Sequence, residues 1–184
     1  MYGRRFVFMH IKAKTIAFGG LLLALSVIFM VLGSVIETST LFLLAAASYF
    51  VGIVAREFGL KSSAVFWTAA VLLGFFLAPN KFYVLTFAAM GLYIWGREAV
   101  WNYLERRPQI GQRQALFTAA KYVIFNLIYL PSIFLFGEIL FSGKVTGMLL
   151  FGAVVAGQAA LFLYDRAYDY VQTSVWGKMR GRVL

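Results

Sequence analysis

A chain of 184 residues with 62% hydrophobic and 13% charged side chains is too apolar for a soluble globular domain and reads as one integral membrane domain. It holds no cysteine and a single histidine, which excludes disulfides and thiolate chemistry and nearly excludes Ser-His-Asp or Cys-His nucleophiles. The net charge of +10 is dealt out between apolar spans, so it points to membrane orientation and anionic lipid headgroups rather than to nucleic acid.

His10 lies in the basic flank before the first span and reads as an ordinary flank residue. The apolar run that follows, Thr15 to Gly33, is too long for a signal-peptide core, and no small-residue cleavage site precedes the next span. A bilayer core about 30 Å thick needs roughly 20 helical residues. Six segments qualify: Thr15 to Gly33, Ser39 to Ala55, Ser62 to Ala78, Phe82 to Gly96, Gln114 to Gly137 and Val145 to Tyr164. The expectation is an all-α, compact six-helix bundle. The fourth segment is short and is expected to continue past Arg97 toward Trp101, with the arginine snorkelling to the surface.

The first helix has two unlike sides. At about 100° per residue, Ala13, Ala17, Gly20 and Ala24 share one narrow face, while Phe18, Leu22, Leu25 and Phe29 crowd the other. Lipid tails are as apolar as leucine, so a small-residue face marks where another helix backbone approaches closely. That helix could belong to this chain or to a partner. Similar faces recur at Ala45, Ser48, Gly52 and Ala55, at Ala70, Gly74 and Ala78, and at Gly152, Ala156 and Ala160. For these three, dense packing inside the bundle is the simpler expectation.

Lysine and arginine sort by loop. Arg4, Arg5, Lys12 and Lys14 precede helix one; Arg56 and Lys61 separate two from three; Arg97, Arg106, Arg107 and Arg113 separate four from five; Arg166, Lys178, Arg180 and Arg182 follow six. The other loops hold only Lys81 and Lys144, and Lys121 lies within helix five. By the positive-inside rule both termini face the cytoplasm. Two basic segments, residues 97–107 and 165–182, read as amphipathic and suited to the headgroup plane or to a cytoplasmic partner. GIVARE at 52–57 is faintly echoed by YIWGRE at 93–98, each ending a helix on the same side.

Little in the chain suggests chemistry. Asp165 and Asp169, four apart, have the spacing of a metal or acid/base pair, but Arg166 lies between them at the start of a basic tail, so a solvated helix extension is expected. No glycine-rich phosphate loop is present. The sequence therefore argues against an enzyme, and no cofactor or metal is expected. Polar groups at membrane depth are more informative, because burying them is costly. Tyr122, Asn126 and Tyr129 share a face of helix five, just before Pro131, whose missing N–H leaves the Leu127 carbonyl without its helical partner. They form either one wall of a ligand cavity or a kinked helix whose Asn126 bonds across to helix six or two. Lys121 is expected to snorkel or to pair with an inner acid, and Gln158 to lie in the inner half of helix six. An outward pocket among helices four, five and six would be rimmed by Asn80, Lys81, Tyr83 and Glu138, with Glu37 closing over it. For any single one of these residues, solvation of a short loop is the simpler expectation.

The stretches GGLLLALSVIFMVLGSVIE and FVGIVAREFGLKSSAVFWTAAVLLGFFLAPNK, set in six short spans, resemble the substrate-binding S components of energy-coupling factor (ECF) transporters over roughly residues 12 to 100. LAPNK is also similar to S-component-like proteins of clostridial type. The resemblance implies that the face of Ala13, Ala17, Gly20 and Ala24 docks on the coupling transmembrane subunit of an ATPase-driven module. It implies too that a vitamin-like or other micronutrient binds near Glu37, Asn80, Lys81, Tyr83, Asn126 and Tyr129, in a bacterial plasma membrane. None of the signatures of thiamine, riboflavin or biotin binders stands out. The architecture also resembles membrane scaffolds of the MreD cell-shape type, which would bind a partner through the small face and no ligand. A channel is less favoured, because no helix carries a polar face from end to end.

Overall fold

In the computed structural model, described for residues 3–107, 109, 111–140 and 147–183, the chain is helical throughout, and no strand occurs among the described residues. Only the backbone is described at 3–15, Glu37, 136–140 and 182–183. Ala13, Glu37 and Glu138 therefore have no described side chain, and Lys144 lies outside the described residues altogether. The helices are α1 (Gly3–Val35), α2 (Thr40–Phe58), α3 (Leu60–Leu77), α4 (Lys81–Glu105), α5 (Arg113–Leu140), α6 (Gly147–Tyr170) and a short α7 (Gly177–Val183), which a π-helical turn at Val171–Trp176 joins to α6. A 3-10 turn at Glu37–Ser39 connects α1 to α2.

Five of these helices contain stretches long and apolar enough to cross a membrane: Ile16–Val35, Thr40–Phe58, Leu60–Leu77, Arg113–Leu135 and Gly147–Gly181. The chain is therefore built as a multi-pass membrane protein. The fourth expected span is not among the five, because α4 carries Arg97 and Glu98 within its length. Neither snorkels. Arg97 is 3% and Glu98 2% exposed, both turned inward, which corrects the surface position expected for Arg97.

The amphipathic segments are not separate elements either. Residues 97–105 are the last turns of α4, and 165–182 continue α6 through the π turn into α7. Part of each apolar face meets protein, with Leu104, Tyr168 and Trp176 buried, while Trp101, Tyr103, Tyr170 and Val175 are exposed.

Short connections set the bundle. Gly59 alone separates α2 from α3; its φ of +86° suits a residue without Cβ, and its N–H closes on the Ala55 carbonyl at 3.1 Å. At the opposite end, LAPNK is a complete helix-to-helix turn. Pro79 forces Ala78 into extended backbone, ending α3. Asn80 Oδ1 then accepts from the Phe82 N–H at 3.0 Å and caps α4. Lys81 Nζ turns back to the Phe75 and Ala78 carbonyls at the C-terminus of α3.

The core lies among α1 to α4, where Met30, Leu44, Ala47, Val51, Ala70, Phe87 and Ile94 are fully enclosed. The small faces of α2 and α3 build it, as expected from dense packing. Ser48, Gly52 and Ala55 are buried, with Gly52 under Tyr168, and Ala70, Gly74 and Ala78 are buried with Gly74 against Met30 and Val84. The α6 face behaves differently. Gly152, Ala156 and Ala160 are exposed, which corrects the expectation of internal packing there; the glycine of α6 that meets a neighbour is Gly157, under the ring of Tyr129.

Candidate functional site

The α1 helix separates its two sides as the sequence spacing suggested. Phe18 stacks on Trp176 at 5.3 Å and meets Phe58 edge-on at 6.1 Å; Leu22 is buried, and Phe29 lies on Phe50 at 5.8 Å. The bulky side is thus committed to the chain's own bundle. Ala17, Gly20 and Ala24 are exposed, and a Cβ added at Gly20 would meet nothing within 4 Å. Among the described residues, this face has no covering helix.

The six residues singled out as ligand candidates occupy separate places. Asn80 and Lys81 are used within the α3–α4 turn described above. Tyr83 is half-buried against the core at the same end. Asn126 and Tyr129 turn to α6 instead: Gln158 Nε2 donates to Asn126 Oδ1 at 2.9 Å, Asn126 Nδ2 donates to the Tyr122 carbonyl at 2.9 Å, and the Tyr129 hydroxyl donates to the Ala153 carbonyl at 2.8 Å. Asn126 and Tyr129 come together; Asn80, Lys81 and Tyr83 form a second group on other elements. Glu37 has no described side chain.

The strongest polar constellation is one that sequence reasoning dispersed. Arg97 Nη1 donates to Asp165 Oδ1 at 2.5 Å while Nη2 reaches Asp169, so one guanidinium spans two successive turns of α6. Lys121 on α5 takes the other oxygen of Asp165 at 2.6 Å, and the Tyr93 hydroxyl adds a bond at 3.0 Å. Next to it Arg56 grips Glu98 through two bonds, 2.8 and 3.0 Å, and the Tyr168 hydroxyl donates to the same carboxylate at 2.7 Å. Glu57, the partner of Arg56 in the GIVARE stretch, accepts from Trp176 Nε1 at 2.9 Å and Arg180 Nε at 3.0 Å.

Arg56, Arg97 and Lys121 thus face Glu98, Asp165 and Asp169, with the Glu57–Arg180 pair beside them, so the charges balance, while Arg97 Nε is buried there without a hydrogen-bond partner among the described residues. The solvated helix extension expected for Asp165 and Asp169 is corrected for Asp165, which is turned inward, while Asp169 is half-exposed though paired. Lys121 does pair with an acid. One signal was present in the sequence: the two Arg-Glu dipeptides echo each other because both ends contribute to this cluster, with Arg56 bonded to Glu98 across the two.

Above the cluster, Tyr164 links α6 to the core through its hydroxyl on Ser48 at 2.6 Å, and Tyr49 donates to the Tyr164 carbonyl at 3.0 Å. Among the described residues no group of three His, Asp or Glu side chains is arranged to hold a metal ion. No protein-family model matches the chain, and neither the curated proteins nor the solved structures contain one significantly similar to it.

Proposed function

We propose that the chain is the membrane-embedded small-molecule-binding subunit of an ECF-type importer, capturing a vitamin-like or other micronutrient from the outer side of a bacterial plasma membrane. In this reading α4 completes six spans, both termini face the cytoplasm, and the basic end rests against anionic lipid headgroups. The chain catalyses no reaction; energy comes from an ATPase pair acting through a coupling transmembrane subunit. The observation that carries the reading is the bare face of Ala17, Gly20 and Ala24, on a helix whose bulky side is already engaged. A small face at the surface gains nothing over leucine in lipid, but it lets a foreign helix approach closely.

Copurification from native membranes tests this. An ATPase pair and a coupling subunit are expected to accompany the chain and to be lost on Ala17→Leu or Gly20→Leu, and one stoichiometric metabolite is expected in native mass spectrometry. A chain that purifies alone and empty contradicts the reading.

A second reading, a non-transporting scaffold of MreD-like type, has its own support. Asn80, Lys81, Asn126 and Tyr129 each make a side-chain hydrogen bond within the fold, as a protein without a ligand would have them do. There the small face of α1 would bind a morphogenetic partner, and copurification would return that partner with no ATPase.

A further inference from the structure

The α6 helix is held to the bundle very unevenly along its length. From Leu161 onward it is anchored: Leu161, Tyr168, Gln172 and Trp176 are buried, and Tyr164, Asp165, Tyr168 and Asp169 bond to α2, α4 or α5. The half before it, 147–160, has one buried residue, Gly157. Its bonds that leave the helix, among those described, both run to α5: Gln158 to Asn126 and the Ala153 carbonyl to Tyr129. Half of the apolar stretch of Thr40–Phe58 is buried, against 11% of that within Gly147–Gly181 and 6% of that in Arg113–Leu135, so α5 is peripheral as well.

We propose that α6 is a hinged arm: the Arg97–Asp165–Asp169 cluster is its fixed pivot, Gly157 its bending point, and the Tyr129–Ala153 bond the clasp that holds residues 147–156 closed on α5. The fixed end is the costly one to move, since separating a buried ion pair leaves uncompensated charge in a dry interior. Among the described residues, moving residues 147–156 gives up one neutral hydrogen bond, from Tyr129 to Ala153, and the ring contact at Gly157. Glycine holds a helix less firmly than any other residue but proline, which places the bend at Gly157 inside α6. Swinging of the arm would open a gap between the first half of α6 and α5. This deepens the importer reading and rests on it for purpose, since such an opening would give a small molecule a way in between α5 and α6.

The absence of cysteine makes the test direct, because introduced cysteines are the only sites a spin label can take. Full-length protein in lipid nanodiscs is labelled at Phe42→Cys with Phe151→Cys, a pair at the free end, and separately at Lys61→Cys with Val175→Cys, a pair at the anchored end; all four positions are exposed. Pulsed electron-spin distance measurement is expected to give one narrow population for the anchored pair and an additional longer-distance population for the free pair. Tyr129→Phe, which removes only the hydroxyl, is expected to enlarge that longer population and leave the anchored pair unchanged. A free pair as narrow as the anchored one, or one that Tyr129→Phe does not alter, overturns the hinge. No ligand or partner is present in this measurement, so the hinge can fail while the ATPase pair still copurifies, and the importer reading can fail while the arm still moves.

Discussion

Arg97 on α4 holds Asp165 on α6 at 2.5 Å, and the same guanidinium reaches Asp169 one turn further along. The two carboxylates are not equivalent: the Asp165 side chain is 14% exposed and the Asp169 side chain 48%. Removing Arg97 leaves Asp165 with one cation, Lys121, and the Tyr93 hydroxyl in a buried setting, and breaking a buried pair in this way costs about 3–5 kcal/mol. Removing the half-exposed Asp169 forfeits a contact that water can replace, worth about 1 kcal/mol or less. Unfolding free energies measured by steric trapping in bicelles are therefore expected to fall much further for Arg97→Gln than for Asp169→Asn. Equal losses would mean that Arg97 is solvated in the membrane-bound protein.

Gly52 is a glycine for want of room. An added Cβ would collide with the ring and hydroxyl of Tyr168, which is fully buried and bonded to Glu98, so the tyrosine cannot retreat without releasing that carboxylate. Gly52→Ala is expected to destabilise by about 1–3 kcal/mol, the usual cost of overpacking a filled interior. Adding Tyr168→Phe, which loses the hydroxyl, is expected to recover part of that loss in the same assay. No recovery would place the clash elsewhere.

Five of the six expected spans were legible because each is a plain apolar run of membrane length, whereas α4 carries Arg97 and Glu98; the two sides of α1 were legible because helical spacing alone separates Ala17, Gly20 and Ala24 from Phe18, Leu22 and Phe29. The charge cluster was not. Arg97, Lys121 and Asp165 lie far apart in the chain, and a lone cation near the end of an apolar run reads as a snorkelling residue unless its acid is known. Asp165 and Asp169 had the opposite difficulty: close spacing and a basic neighbourhood suggested solvent, while the cations that claim them come from α4 and α5. The exposed small face of α6 was missed for a related reason. Composition gives the width of a helix face, and only the bundle shows whether anything lies against it.

Asn126 and Gln158 face each other across α5 and α6 with a bond of 2.9 Å from the glutamine amide and a weaker one of 3.5 Å in return. Both side chains are half-buried within spans, where an interhelical hydrogen bond is worth about 0.6 kcal/mol on average and up to about 1.7 kcal/mol. A double-mutant cycle of Asn126→Leu with Gln158→Leu is expected to give a coupling in that range. A coupling near zero would show that each amide finds water or lipid headgroups instead, and would free Asn126 for a ligand.

Gly20 and Gly74 make the sharpest comparison, because the same substitution meets opposite surroundings. At Gly74 the space for a Cβ is already taken by the end of Met30, at 2.8 to 2.9 Å, with Val84 at 3.4 Å. A leucine there must displace both and should cost at least the 1–3 kcal/mol of about one overpacked site. At Gly20 nothing lies within 4 Å, so Gly20→Leu in the isolated protein is expected to stay within about 0.5 kcal/mol of the parent, as surface substitutions do. The same leucine should abolish copurification with a partner, since one isobutyl group holds a second backbone away from the whole face. A variant with parental stability and lost partner identifies the face as an interface; a variant that unfolds would mean the chain's own residues cover Gly20 in the membrane.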